Sequence, residues 1–232
     1  MRTPICERLG CELPIFAFSH CRDVIVEVTK AGGFGVLGAA TVSPQQLETE
    51  LRWIDDHVDG RPYGADVIIP TTYDQDAERA SDDPASLIMQ THRDFLDNIL
   101  NAEGVPRLPD DERQRIHHKI ASGRSKITHD GARRLVQIAL RHPGVRMILS
   151  APGAPPPDIV AELQARGIVI GTRQKAAGVE VFIAQGTEAG GHTDDIATMV
   201  LVPKVVRACG PGAVVLAAGG ITDGSQIGTS TP

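Results

Sequence analysis

Ile183-Ala-Gln-Gly-Thr-Glu-Ala-Gly-Gly-His-Thr193 runs off the end of an apolar segment, Val179–Ala184, that reads as a buried strand. A strand apolar on both faces is one covered on both faces, the condition of a parallel sheet sheathed by helices. Polar residues and glycines gathered at the carboxyl end of such a strand stand where parallel barrels keep their sites. Gln185 offers both a donor and an acceptor to a heteroaromatic ring. Gly190 and Gly191 leave backbone N–H groups unshielded, so a flat ring or a phosphate can come close. His192 follows, and imidazole titrates near neutrality, which suits proton transfer from carbon. Taken alone, the same letters also describe a glycine turn carrying a surface histidine.

Working outward, Met199–Ala208 has a helical period and Ala213–Ala217 is a further apolar strand ending in Gly219-Gly220. Paired glycines after a seventh barrel strand fit half of a backbone phosphate site; an ordinary strand-to-helix turn would look similar. Upstream the alternation continues. Strands are expected at Pro14–Phe18, Phe34–Leu37, Asp66–Ile69, Val145–Leu149 and Ile168–Ile170. Helices are expected at Asp23–Lys30, Thr128–Arg141 and Asp158–Arg166. One more opens at Ser43-Pro-Gln-Gln46, a capping box with proline in the first turn, and places Leu47, Leu51, Ile54 and Val58 on one face. Seven such strands predict a TIM-type (β/α)8 barrel, with a doubly wound open sheet as the alternative.

Two features resist a full barrel. Only Gly171–Gly178 separates the fifth and sixth strands, too little for a crossover helix. The chain also ends at Pro232, before an eighth strand and helix. The expected fold is therefore an incomplete barrel, trimmed or lacking segments of a longer parent. Residues 71–127 are polar and predict a helical insertion or lid within a single domain spanning 1–232, with helices near Ser86–Leu100 and Asp110–Ile120. His117-His118 there reads as solvated rather than ligating.

At 232 residues, with 41% hydrophobic and 22% charged side chains, the chain has the make-up of a soluble globular protein. A net charge of −6 and 3% aromatics, with Trp53 the sole tryptophan, argue against nucleic-acid binding. Cys6, Cys11, Cys21 and Cys209 form no CxxC pair and no zinc spacing, so free thiols in a reducing, cytoplasmic setting are expected. No signal peptide is visible, and no apolar run approaches the ~20 residues that span a bilayer. Gly33-Phe-Gly-Val-Leu-Gly38 spells the dinucleotide fingerprint. It follows a helix and contains its own strand, so it reads as a close-packed helix-to-strand turn.

Gln185-Gly-Thr-Glu-Ala-Gly-Gly-His192, followed by Ala217-Ala-Gly-Gly-Ile221, resembles the nitronate monooxygenase family. Leu9-Gly-Cys-Glu-Leu-Pro-Ile-Phe-Ala-Phe-Ser19 and Lys30-Ala-Gly-Gly-Phe-Gly-Val-Leu-Gly38 look like its first two strands. The resemblance implies a TIM barrel holding FMN non-covalently. Ala17, Phe18 and Ser19 would touch the isoalloxazine with Asp66 nearby, where the family usually carries asparagine. Gln185 would hydrogen-bond the ring, and Gly190, Gly191, Gly219 and Gly220 would line the phosphate. His192 would take a proton from the carbon bearing a nitro group, with O2 as final electron acceptor and small nitroalkanes or nitronates as substrates. Asp194 stands where the family has glycine. His20-Cys21 lies beside the first strand end; either residue could face the site, and the start of a helix is the preferred reading. Two rivals remain: an FMN-dependent enoyl or quinone reductase using NAD(P)H, and a catalytically silent remnant. An open barrel exposes strand edges, so a homo-oligomer is expected unless the barrel is completed.

Overall fold

The computed structural model describes residues 3–39, 42–69, 88–123, 129–150, 153–173, 178–191, 193 and 195–229, the backbone alone at 117–123, 129 and 227–229. The chain divides into two compact units, 1–71 with 125–232, and 72–124. In the smaller unit lie α4 (Gln90–Ala102) and α5 (Asp110–Gly123).

The larger unit runs α1 (Pro4–Leu9), β1 (Phe16–Ser19), α2 (Arg22–Lys30), β2 (Phe34–Gly38), α3 (Pro44–His57) and β3 (Tyr63–Asp66). It continues with α6 (His129–Ala139), β4 (Val145–Ser150), α7 (Pro157–Ala165), β5 (Val169–Thr172) and β6 (Val181–Gln185). α8 (Thr198–Cys209), β7 (Val214–Ala218) and α9 (Gly224–Thr229) complete the described chain. All seven described strands are parallel and lie in sequence order, β1 to β7. A doubly wound sheet reverses its order at a switch point. This one never does, so it is a TIM-type array, open between β1 and β7 in the described residues.

Two apolar clusters show how the sheet curls. Leu37, Ala65, Ile148 and Ile170 pack outward against Ile25, Leu47, Leu51, Leu135 and Leu163 of the helices. Phe34, Val36, Met147, Leu149, Val169 and Val181, with Phe16, Ile183 and Leu216 beside them, form a separate inner cluster. Inner faces from β1 round to β7 share one cluster only if the sheet is concave. Helix α1 closes the amino end of that interior with Ile5, Cys6 and Leu9. Six residues are too few for a helical period to show, which is why α1 escaped the sequence reading. Burial and the neighbouring Cys6 push the Cys11 thiol up to about 12, so this thiol is packing rather than chemistry.

The capping box forms as expected: Ser43 Oγ accepts from Gln46 N at 3.1 Å and Gln46 Oε1 from Ser43 N at 3.0 Å. The dinucleotide-like glycines are packing residues. A Cβ on Gly35 would sit 2.6 Å from the Ile25 carbonyl oxygen, because α2 lies directly on β2. The third strand is displaced from its expected place. It spans Tyr63–Asp66 rather than 66–69, and the bond from Val67 N to Leu149 O carries its pairing with β4 one residue further. The short β5–β6 link is explained by stagger. The two strands pair only as Gly171↔Val181 and Thr172↔Phe182, so β6 starts level with the end of β5 and little return travel is needed.

Beneath β3 a polar knot joins three elements. Asp55 accepts from Tyr63 Oη at 2.8 Å and pairs with His142 Nδ1 at 2.6 Å. Asp55→Ala would leave His142 Nδ1 without its partner and Tyr63 Oη with only the longer 3.4 Å bond to Leu51 O, so urea unfolding should show a loss of about 3 kcal/mol. An unchanged midpoint would mean that water replaces the carboxylate. No described helix is long and apolar enough to cross a membrane.

Candidate active site

Parity along the strands decides which side chains face the concave mouth, because residues two apart share a face. Phe16 belongs to the inner cluster, so Phe18 faces inward; Ala17 and Ser19 point toward the helices. The Ser19 hydroxyl is engaged there, accepting from Cys21 N at 3.0 Å. A side chain on Gly64 would meet Phe34 and Val36, so Asp66 also faces inward; it is 5% exposed. Val181 and Ile183 are inner residues, which puts Gln185 on the same face at the tip of β6. Phe18, Asp66 and Gln185 thus occupy the inner parity at the carboxyl ends of β1, β3 and β6. The Gln185 amide nitrogen donates to Gly190 O at 3.0 Å, folding the glycine loop back over its own strand.

The two glycine-rich tips are in contact. Gly186 N bonds Ala218 O at 2.9 Å, extending the β6–β7 ladder into the loops. Gly219 has φ +113° and Gly220 φ +71°. A Cβ on Gly219 would lie 2.9 Å from Ala189 N and 2.8 Å from Thr198 Oγ1, and one on Gly220 would lie 3.0 Å from Glu188 Cβ. By contrast, no described residue stands within 4 Å of where side chains on Gly190 and Gly191 would begin. The N–H groups of Gly190, Gly191, Gly219 and Gly220 donate to no described residue. Such amides are what a phosphate requires. His192 and Asp194 lie outside the described residues.

Thr198, the first residue of α8, clamps the two tips. Its N–H and hydroxyl both donate to Glu188 Oε2 at 2.8 Å, and its hydroxyl is 3.4 Å from Ala218 O. The sequence reading began this helix one residue later and missed the clamp; a threonine before an apolar helical run was the available signal. Donation from the Thr198 backbone first, then from Glu188's own N–H and the Thr198 hydroxyl, holds the Glu188 carboxyl below its ordinary value. A depressed carboxylate stabilises the fold above its unfolded value, here 4.5, and loses that contribution as pH falls through the folded value. Wild type should therefore melt above Glu188→Gln at neutral pH, with the gap closing below pH 4.5. A gap independent of pH would show that the charge is not what matters.

Glu188 and Asp223 also fill the amino ends of α8 and α9; Ser225 N bonds Asp223 Oδ1 at 2.8 Å. Phosphate binding here would rest on the glycine amides rather than on helix termini. Two open clefts of about 400 and 290 Å3 lie at the opposite end, by Arg8, Pro62 and Arg146 and by Glu180, Phe182 and Cys209. They sit at the amino ends of the strands, where side chains in such barrels serve stability.

A parallel array in sequence order, with glycine-rich tips in contact at its sixth and seventh strands, defines a β/α barrel protein of the TIM type. The chain belongs, more narrowly, to the nitronate monooxygenase family, whose profile matches residues 21–230. It is 46% identical to Rv1533 of Mycobacterium tuberculosis, provisionally named a monooxygenase, over 98% of this chain and 62% of that one. It is 28% identical to a probable nitronate monooxygenase of Staphylococcus saprophyticus, over 98% of this chain and 63% of that protein. The chain spans about three fifths of the length of these curated relatives. Among solved structures, nitroalkane oxidase from Streptomyces ansochromogenes shares the fold, with TM-score 0.71 and 24% identity over 98% of this chain and 64% of that one.

Proposed function

We propose that this protein oxidises nitronates or nitroalkanes with FMN, using His192 as the base and O2 as the final acceptor. The observation that carries the reading is the junction of the β6 and β7 tips, with four glycine N–H groups free of described partners beside an open space. These residues fit a flavin phosphate: the amides supply donors, and no Cβ blocks approach at Gly190 or Gly191. Phe18, Asp66 and Gln185 share the inward parity that a ring above the barrel mouth would meet. When bound, FMN supplies a two-electron acceptor that O2 restores.

The chain's own contribution is placement and a base. His192, directly after the open glycines, takes the proton from the carbon bearing the nitro group, and the C–H electron pair remains on the substrate as the nitronate. Gln185, tied to Gly190 O, fixes the loop that carries the histidine. Anaerobic mixing separates this reading from its rival. Bleaching of the flavin by a nitroalkane alone supports it, whereas bleaching by NADH but not by nitroalkane would replace it with a reductase.

A further inference from the structure

His20 stands at the same mouth, where the sequence leaves open whether it faces the site or starts a helix. Helix α2 instead begins at Arg22 with Cys21 as its N-cap, which leaves the His20 ring free to turn toward β2. Its Nδ1 lies 2.9 Å from the Gly38 carbonyl oxygen. A carbonyl only accepts, so Nδ1 carries the proton, and in the neutral ring Nε2 keeps its lone pair. Among the described residues Nε2 makes no hydrogen bond, and the side chain is exposed. The ring packs edge-on to Phe18, with centroids 5.2 Å apart. Gly38 makes the seat possible: a Cβ there would lie 2.6 Å from Nδ1 and 2.7 Å from the Phe18 ring. Gly38 has the inward parity of Phe34 and Val36 and pairs in register with Asp66.

We infer that His20, held by Gly38 O and Phe18 on the inward side of β2 with Nε2 unbonded among the described residues, is a second proton-accepting catalytic residue of this site, in parallel with His192 and on the β1–β2 side. This rests on the carbon-acid reading proposed above. In turnovers in which His192 does not act as the base, Nε2 takes the proton from the acidic carbon and the C–H pair stays on the substrate, delocalised into its electron-withdrawing group. The imidazolium so formed is stabilised through Nδ1–H by Gly38 O.

His20→Asn tests this, because the asparagine amide nitrogen reproduces the Nδ1 donor but has no distal nitrogen. Added to His192→Asn, the substitution should leave flavin content and oxidation of preformed ethylnitronate at the level of His192→Asn alone, while the nitroethane oxidation that remains falls about 100-fold further. Equal rates on nitroethane, or equal losses on both substrates, overturn the inference. A second readout needs no turnover: in wild-type protein carrying flavin, under anaerobic conditions, nitroethane should shift the 15N resonance of His20 Nε2. If wild type oxidises neither substrate, the functional reading falls, and this spectrum still judges His20. A shift upholds its contact with a carbon acid, and an unmoved resonance refutes it.

Discussion

In His192→Asn, oxidation of a neutral nitroalkane is expected to fall about 10²–10⁴-fold, the usual contribution of a positioned acid or base. Oxidation of preformed nitronate should be far less affected, since that substrate arrives already deprotonated. Flavin content should not change, because the glycine amides are independent of the side chain at 192. The split between the two substrates is the informative part. A residue that merely holds the loop would, when lost, slow both equally. Steady-state rates with each substrate, at matched flavin loading, decide the matter. Measured beside His20→Asn, the same pair of substrates apportions proton transfer between the β6 loop and the β1–β2 edge.

The second large effect is expected at Gly219. Its φ of +113° is one that residues with a side chain rarely adopt, and a Cβ would press on Ala189 N and Thr198 Oγ1 at 2.9 and 2.8 Å. Both neighbours are held, Thr198 by Glu188 and Ala189 by its own bond to Gly186 O. Gly219→Val therefore forces the β6 and β7 tips apart and separates the β6 glycine loop from the Gly219-Gly220 turn. FMN affinity should fall at least about 100-fold, the consequence of losing two or so hydrogen bonds to a charged group. Thermal stability of the apoprotein should drop by a smaller amount, since backbone strain of this kind costs about 1–3 kcal/mol. Gly191→Ala separates strain from packing. Its φ is also positive, at +80°, but no described residue lies beside it, so the β6–β7 junction should survive. If Gly219→Val binds FMN as wild type does, the junction is not the phosphate site.

Much of this was legible because the period of the letters matched the period of the structure. Ser43, Pro44 and Gln46 announce α3 so clearly that both halves of the capping box form. The glycine pairs after β6 and β7 mark strand tips, and the tips do meet. What was hidden depended on distance rather than spacing. Gly38 gives no sign in the sequence that it seats an imidazole, because the contact joins residues 18 positions apart across a ladder. Thr198 looked like a residue before a helix, yet it bridges Gly186, Glu188, Ala218 and Gly219. The β5–β6 link looked impossible because a parallel crossover was assumed to travel a full strand length; stagger removes most of that journey. Among the flavin contacts implied by resemblance, strand parity separates Phe18, which faces the mouth, from Ala17 and Ser19, whose side chains turn to the helices.

The decisive measurement is the visible absorption spectrum of the purified protein, followed by identification of any chromophore released on denaturation. A flavin spectrum with FMN in the extract, absent from Gly219→Val prepared in parallel, is the predicted result. A colourless protein that takes up no added FMN, or a bound flavin that Gly219→Val retains in full, would contradict the claim that these strand tips cradle the cofactor.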